Sequence, residues 1–200
     1  DVLGSRGLGD VYKRQDLNGD GIIDDNDRTM IGNGMPKHTG GFTNNFEYKG
    51  FDLSIFFQWS YGNDVLNANR LFFENSNKTR DLNQYASYAD RWTPENPESN
   101  IPRATDSGSN KVFSTRIIED GSFLRLKTVS LGYTLPKQLT KKWKIDNARV
   151  FVAGQNLWTC TGYSGYDPEV SIREGALTPG LDFSAYPRAY SISFGINLGF

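Results

Sequence analysis

The chain has 200 residues, with 22 basic and 23 acidic side chains; a net charge of −1 gives no electrostatic case for binding nucleic acid. A single cysteine excludes an internal disulfide framework, and no apolar run approaches the ~20 residues of a membrane-spanning helix. A mean hydropathy of −0.55 leaves a membrane β-barrel open, because barrel strands alternate apolar and polar residues.

The sequence does not begin with Met and shows no signal peptide, so a fragment or a processed piece is expected. Residues 1–15, DVLGSRGLGDVYKRQ, have neither a clear period nor a site and are read as an unassigned, partly foreign tail. Next comes DLNGDGIIDDND, Asp16 to Asp27, in which acidic and amide residues fall at positions 1, 3, 5, 9 and 12 and Gly21 at position 6. Ca²⁺ takes six to eight oxygens, and a twelve-residue loop wraps one ion with alternate side chains and a carbonyl at position 7. Asp16, Asn18, Asp20, Asp24 and Asp27, with the carbonyl of Ile22, form that donor set, and Ile23 would anchor the loop. A solvated turn is the plainer reading of Asn-Gly and Asp-Gly, but the register of six positions favours calcium. A calcium sensor also needs flanking amphipathic helices. Here Thr29 to Gly41 holds five Gly or Pro residues, so a static, structural ion is expected, and residues 16–40 are taken as this loop and a linker.

From residue 41 onward the pattern is that of strands. GFTNNFEYKGFDLSIFFQWSYG predicts a hairpin about Lys49-Gly50 that pairs Tyr48 with Phe51, Phe46 with Leu53 and Phe42 with Phe57 on one apolar face. Asn44 and Phe56 break the alternation, and Glu47 would face Asp52, which is unfavourable unless water or a cation screens the pair. Phe123 to Thr134 changes phase near Lys127, which predicts a bulge. Pro136 to Trp143 reads as one short basic helical turn, and Ala148 to Trp158 as a strand with poorly separated faces. Tyr190 to Phe200 alternates without a break, large apolar against small polar. A strand over Val112 to Glu119 is a further candidate.

The connections alternate in length. Lys49-Gly50 and Leu135 to Asn147 are short; Gly62 to Gly121 and Thr159 to Arg188 are long. Outer-membrane barrels keep short turns on the periplasmic side and long loops outside. Five strands then run down, up, down, up, down, with the calcium-type loop on the extracellular side. Phe57, Trp59, Tyr61 and Tyr190 fit an interfacial aromatic girdle. Because about eight strands are needed to close a membrane barrel, the remaining strands are expected upstream.

The segments DLNGDGIIDDNDRTMIG, YKGFDLSIFFQWSYGNDVLN, RWTPENPESNIPRA, EDGSFLRLKTVSLGYTLP, RVFVAGQNLWT, YSGYDPEVS and SISFGINLGF resemble, in order, the C-terminal part of SusC/RagA-type TonB-dependent outer-membrane transporters of Bacteroidetes. The resemblance implies an all-β fold: an incomplete, C-terminal part of a large antiparallel transmembrane barrel, with an N-terminal plug elsewhere. It implies import of oligosaccharides or peptides with a SusD-like surface lipoprotein, energised by TonB through parts not present here, so that this fragment alone transports nothing. It also implies a location in the outer membrane of a Gram-negative bacterium, a calcium-type loop on the residues named above, and a role for Phe200 in barrel assembly.

An enzyme and a secreted binding module are the two rival classes. An enzyme has little material: His38 is the only histidine and is expected in a loop, and Asp167 and Glu169, a conceivable glycosidase pair, are better explained by the Asp-Pro turn. A secreted binding module is the second rival: a calcium-stabilised β-sandwich that binds glycans would alternate too. Here, though, the apolar face is long and rich in large aromatics and the other face is small and polar rather than charged. A dockerin would repeat its calcium loop with a helix after each copy. The loop aromatics Phe72, Phe73, Tyr85, Tyr88, Trp92, Tyr163 and Tyr166 either pack the loops, meet a partner or stack on sugars. Cys160 is expected to be buried or in a loop, and the transported substrate is not readable.

Overall fold

The computed structural model describes residues 16–22, 25–74, 83–104, 114–169 and 179–200, so residues 1–15, Ile23 and Asp24 lie outside them. Two units emerge, interleaved along the chain. One contains a five-stranded antiparallel sheet: β1 (His38–Tyr48), β2 (Phe51–Tyr61), β5 (Phe123–Thr134), β6 (Asn147–Thr161) and β8 (Ser191–Gly199), neighbours in that order. The other holds a small sheet in the order β4 (Ile118–Asp120), β3 (Asp64–Asn67) and β7 (Leu181–Asp182).

The large sheet is a meander, as the loop lengths predicted. Lys49 and Gly50 both take positive φ, 48° and 87°, the conformation of a tight hairpin turn whose twist matches its strands. The register pairs Tyr48 with Phe51, Phe46 with Leu53 and Phe42 with Phe57. The basic connection forms α1 (Lys137–Thr140) and a 3₁₀ turn over Lys141–Trp143, with Lys144 left-handed at its end.

The phase change in β5 is a bulge centred on Lys127. Against β2, Phe56 pairs with Thr128 and Phe57 with Leu126, skipping Lys127. Against β6, Thr128 pairs with Gln155 and Leu126 with Trp158, so Asn156 and Leu157 are extra as well, with Asn156 at φ 53°. The inserted residue absorbs the half-period. Leu124, Leu126, Val129, Leu131 and Tyr133 therefore face Trp59, Phe57, Ile55, Leu53 and Phe51, all on one side. The same irregularity explains why β6 looked poorly sided in sequence.

Whole apolar rows result. Phe46, Leu53, Leu131, Val152 and Phe194 cross the sheet in one row; Tyr48, Phe51, Tyr133, Val150 and Ile196 form the next. No other element covers this face among the described residues: Phe194 at 82% and Phe46 at 57% are exposed at its edges, and Leu53, Tyr133 and Val152 are half-buried in its middle. The other face is small and polar, as in the row Asn45, Ser54, Ser130, Ala153, Ser193. Phe56, Phe123 and Phe151 are aromatic exceptions there; Phe56 lies over Gly41 and Phe151 over Gly195.

Three expectations need correction. His38 is not in a loop: it opens β1, where its Nδ1 accepts a hydrogen bond from the Trp59 indole N–H at 3.1 Å and its ring stacks on Tyr61. Cys160 is an exposed strand residue, because it sits opposite Leu124 on the uncovered apolar face. Val112 to Glu119 is not one strand; within its described part Thr115–Ile117 is a 3₁₀ turn that buries Ile117, and only Ile118–Asp120 is extended.

The bulge makes a direct prediction. Deleting Lys127 makes the spacing of Leu126 and Val129 even, so a regular ladder keeps every apolar residue of β5 on one face. Inserting one alanine between Val129 and Ser130 instead sends half of the strand to the wrong face. The protein containing this chain, refolded in detergent, is expected to keep its heat-modifiable folded band on electrophoresis after the deletion and to lose it after the insertion. An insertion variant that folds like the parent would refute this account.

Candidate functional site

On the polar face two ion-pair sites decide how the strands and loops are held. In the first, Asp52 of β2 accepts from Arg149 Nε at 2.9 Å and is paired with its Nη2. The pair reaches across β5 at Gly132, where a Cβ would collide with both side chains, so the missing side chain is what admits it. Arg149 also lies over the Phe151 ring at 5.1 Å. This is the cation that the Glu47–Asp52 juxtaposition demanded, and it came from a strand far along the chain.

In the second, the segment after β6 folds over the polar face and buries Arg125, which is only 2% exposed. Arg125 donates to Asp167 at 2.5 Å and to Glu169 at 3.0 Å, while Lys127 and Arg188 approach Glu169 at 3.5 and 3.1 Å. Asp167 also accepts the backbone N–H of Glu169 and of Arg188. Burial alone would raise its carboxyl, but the Arg125 guanidinium and these two N–H groups hold it below the usual carboxylate range. Arg125 thus bridges both carboxylates, Glu169 being shared with Arg188 and Lys127, and the cluster clasps the loop to the sheet. Lys127, extruded by the bulge, joins it.

The second unit is made of loops. β3 runs parallel to β7, pairing Leu66 with Leu181, so the two long connections meet. Val65, Ala68, Leu71, Tyr88, Ile101 and Ile117 are its buried apolar side chains. Glu74, 3% exposed, binds Arg70 at 2.9 Å, Arg116 at 2.6 Å and Ser87 at 2.8 Å, and Glu119 binds Arg70 at 3.3 Å. Of the loop aromatics, Phe73 packs on Tyr85, Phe72 on Phe183, and Tyr88 and Tyr163 are buried within their own units, whereas Tyr166 is 81% exposed. Packing accounts for most of them.

The calcium-type loop leads into that unit: Asn33 N–H donates to Asp64 at 2.7 Å, and Asp64 N–H returns a bond to the Asn33 carbonyl at 2.8 Å. Within the loop, Asp16 accepts from Gly19 and Gly21, Asn18 from Asp20, and Asp20 from Ile22. Asp27 accepts Leu17 N–H at 2.8 Å and closes the ring, and Gly21 takes φ 81° at the sharp turn. The donors are all oxygens, which suits a hard cation. Among the described residues no three acidic, His or Cys side chains converge on one point; Asp24, the position-9 donor, lies outside them. Of the other predicted positions, Tyr61 and Tyr190 are exposed at the sheet end that carries the long connections, with Trp59 and Phe57 deeper along β2, and Phe200 is exposed at the opposite end.

No protein-family model matches the chain. TonB-dependent receptor P26 of Formosa agariphila is 39% identical over 194 residues, covering 94% of this chain, and receptor P3 of the same organism is 36% identical over 192. The SusC receptor of Bacteroides thetaiotaomicron is 28% identical over 92% of the chain. A solved RagAB peptide importer in an open-open state superposes with a TM-score of 0.71 at 34% identity over 83% of this chain. The chain belongs to the SusC/RagA-type TonB-dependent receptors. It spans less than a fifth of its curated relatives, 18% of P3 and 19% of P26. Receptors of this type are outer-membrane β-barrel proteins, and the five-strand meander is a stretch of such a wall. The matched relatives are receptors and transporters.

The Arg125 clasp in this receptor piece has a measurable consequence. A carboxylate with a depressed folded pKa contributes stability that is complete above the ~3.9 of unfolded Asp and is lost as pH falls through the lower folded value. Hydrogen exchange across Tyr163 to Glu169 is expected to stay slow from neutrality to about pH 4 and to rise below it. Asp167→Asn should loosen the segment at neutral pH by on the order of 3 kcal/mol and remove the acid step. An unchanged exchange profile would contradict the clasp.

Proposed function

We propose that this chain forms part of the barrel wall and surface loops of an outer-membrane, TonB-dependent importer of oligosaccharides or peptides, working with a SusD-like surface lipoprotein. The continuous exposed apolar face carries this reading. An eleven-residue strand such as β1 or β2 extends roughly 37 Å and, tilted by about 45°, covers roughly 26 Å, the height of a barrel's apolar band. The short connections then lie on the periplasmic side, the long ones outside, and the polar face with its clasp lines the lumen. The piece has no catalytic role in this reading and needs the remaining strands, plug and TonB-contacting segment to transport anything. A secreted sandwich is disfavoured, because among the described residues the aromatic face of the large sheet is exposed.

The test is co-purification. A tagged, full-length receptor extracted in mild detergent should bring down the lipoprotein encoded beside it and appear in the outer-membrane fraction. A receptor found in the periplasm as a soluble monomer would overturn the reading; one that is membrane-inserted but alone would overturn only the partner.

We also propose that Asp16, Asn18, Asp20, the Ile22 carbonyl, Asp24 and Asp27 hold a structural Ca²⁺. The oxygen-only donor set and the ring closed by Asp27 support it. Calorimetric titration of Ca²⁺ into the full receptor should show a site that weakens at least about tenfold in Asp20→Ala. Equal affinity in the two proteins would remove the site.

A further inference from the structure

The end of the large sheet with the short connections carries five lysines: Lys49 in the hairpin, and Lys137, Lys141, Lys142 and Lys144 in the turn between β5 and β6. The four lysines of that turn are exposed, as is Lys49. Among the described residues none of the five comes within ion-pair distance of a carboxylate; Asp52 is taken by Arg149, and Glu47 and Asp146 reach none of them. Five like charges gathered in two neighbouring turns at one end of the sheet leave a concentrated positive surface with no internal counter-charge among the described residues.

The turn is firmly built. Thr140, 1% exposed, is its buried anchor; Ile145 N–H bonds the Thr140 carbonyl, Leu135 N–H the Ala148 carbonyl, and Asp146 N–H the Gly199 carbonyl. The lysines therefore project from a fixed base. Between them stand apolar side chains that a soluble turn would not expose: Leu139 at 48% and Trp143 at 65%. Tyr48, Phe51, Leu198 and Phe200 end the apolar face at this same side of the sheet, all more than half exposed. Lys49 Nζ lies 5.1 Å above the Tyr48 ring, which is on the apolar face, so at least this charge stands where that face meets water.

Lysine stems lie along apolar surface while their ammonium groups stay wet, and Trp and Tyr favour the headgroup level of a bilayer. We propose that this lysine and tryptophan collar binds the phosphate headgroups of anionic phospholipids in the periplasm-facing leaflet of the outer membrane. The geometry names the occupant: the apolar face ends at these residues, so what lies beside them is a membrane surface, and their charge selects its anionic lipids. The collar thereby fixes how deep the barrel wall sits. This rests on the proposed placement of the chain in the outer membrane.

The test uses the full-length receptor in detergent supplemented with equimolar phosphatidylethanolamine and phosphatidylglycerol, read by native mass spectrometry. The parent should retain phosphatidylglycerol in preference. Replacing all five lysines with glutamine should abolish the preference, at about fivefold for each lysine that meets the surface, and replacing them with arginine should keep it. A glutamine variant that folds, by heat-modifiability, yet keeps the preference overturns the proposal. So does a variant that keeps its lipids but loses capture of TonB's periplasmic domain, since the collar would then be a protein contact. A receptor that does not insert as a barrel at all would instead defeat the functional reading, not the collar.

Discussion

Backbone hydrogen bonding in hydrocarbon is the constraint on which the rest of this structure depends. Lipid offers no water to satisfy N–H and C=O groups, so a chain that shows lipid its side chains must pair every backbone group within a ladder. Once paired, each strand has one side for lipid, and that side is predominantly apolar, with Asn44 opposite Ile55 an exception in β1. The bulge at Lys127 is the place where this rule is most visible, because an extra residue keeps Leu124 and Leu131 on the same face although their spacing in sequence is odd. The strand gains a half-period, and the ejected lysine is put to use in the polar clasp.

The polar face solves a different problem. Charges facing a lumen need partners, and partners come from distant parts of the chain: Arg149 for Asp52, Asp167 and Glu169 for Arg125. Each pair also fixes geometry. The Asp52–Arg149 pair spans three strands through the gap left by Gly132, and the Arg125 cluster pins the start of a long connection onto the sheet. A buried pair such as Arg125–Asp167 adds little net stability over an apolar substitute, but breaking one side is costly, which makes it a specifier of arrangement.

The loop unit shows how long polar connections become ordered without a large core. Two connections share the β3–β7 pairing, a few buried side chains and the Glu74 hub, whose carboxylate gathers two arginines and a serine. The segment that follows the calcium-type loop joins through the reciprocal Asn33–Asp64 bonds. A structural ion upstream would stiffen that attachment.

Alternation, turn chemistry and connection length made much of this legible in the amino acids. Lys49-Gly50 dictated the hairpin and its register, and the odd spacing across Lys127 announced a bulge, since side-chain direction along a strand has a period of two and any violation must be absorbed locally. The oxygen donors of DLNGDGIIDDND are likewise a local pattern. What the sequence could not disclose were the long-range choices. That Asp52 would find Arg149, that Asp167 and Glu169 would close on Arg125 and that Cys160 would stand exposed depend on which strands become neighbours. Those neighbours are brought together by closure of connections tens of residues long, and only the folded sheet decides which side chains then lie within reach of a hydrogen bond.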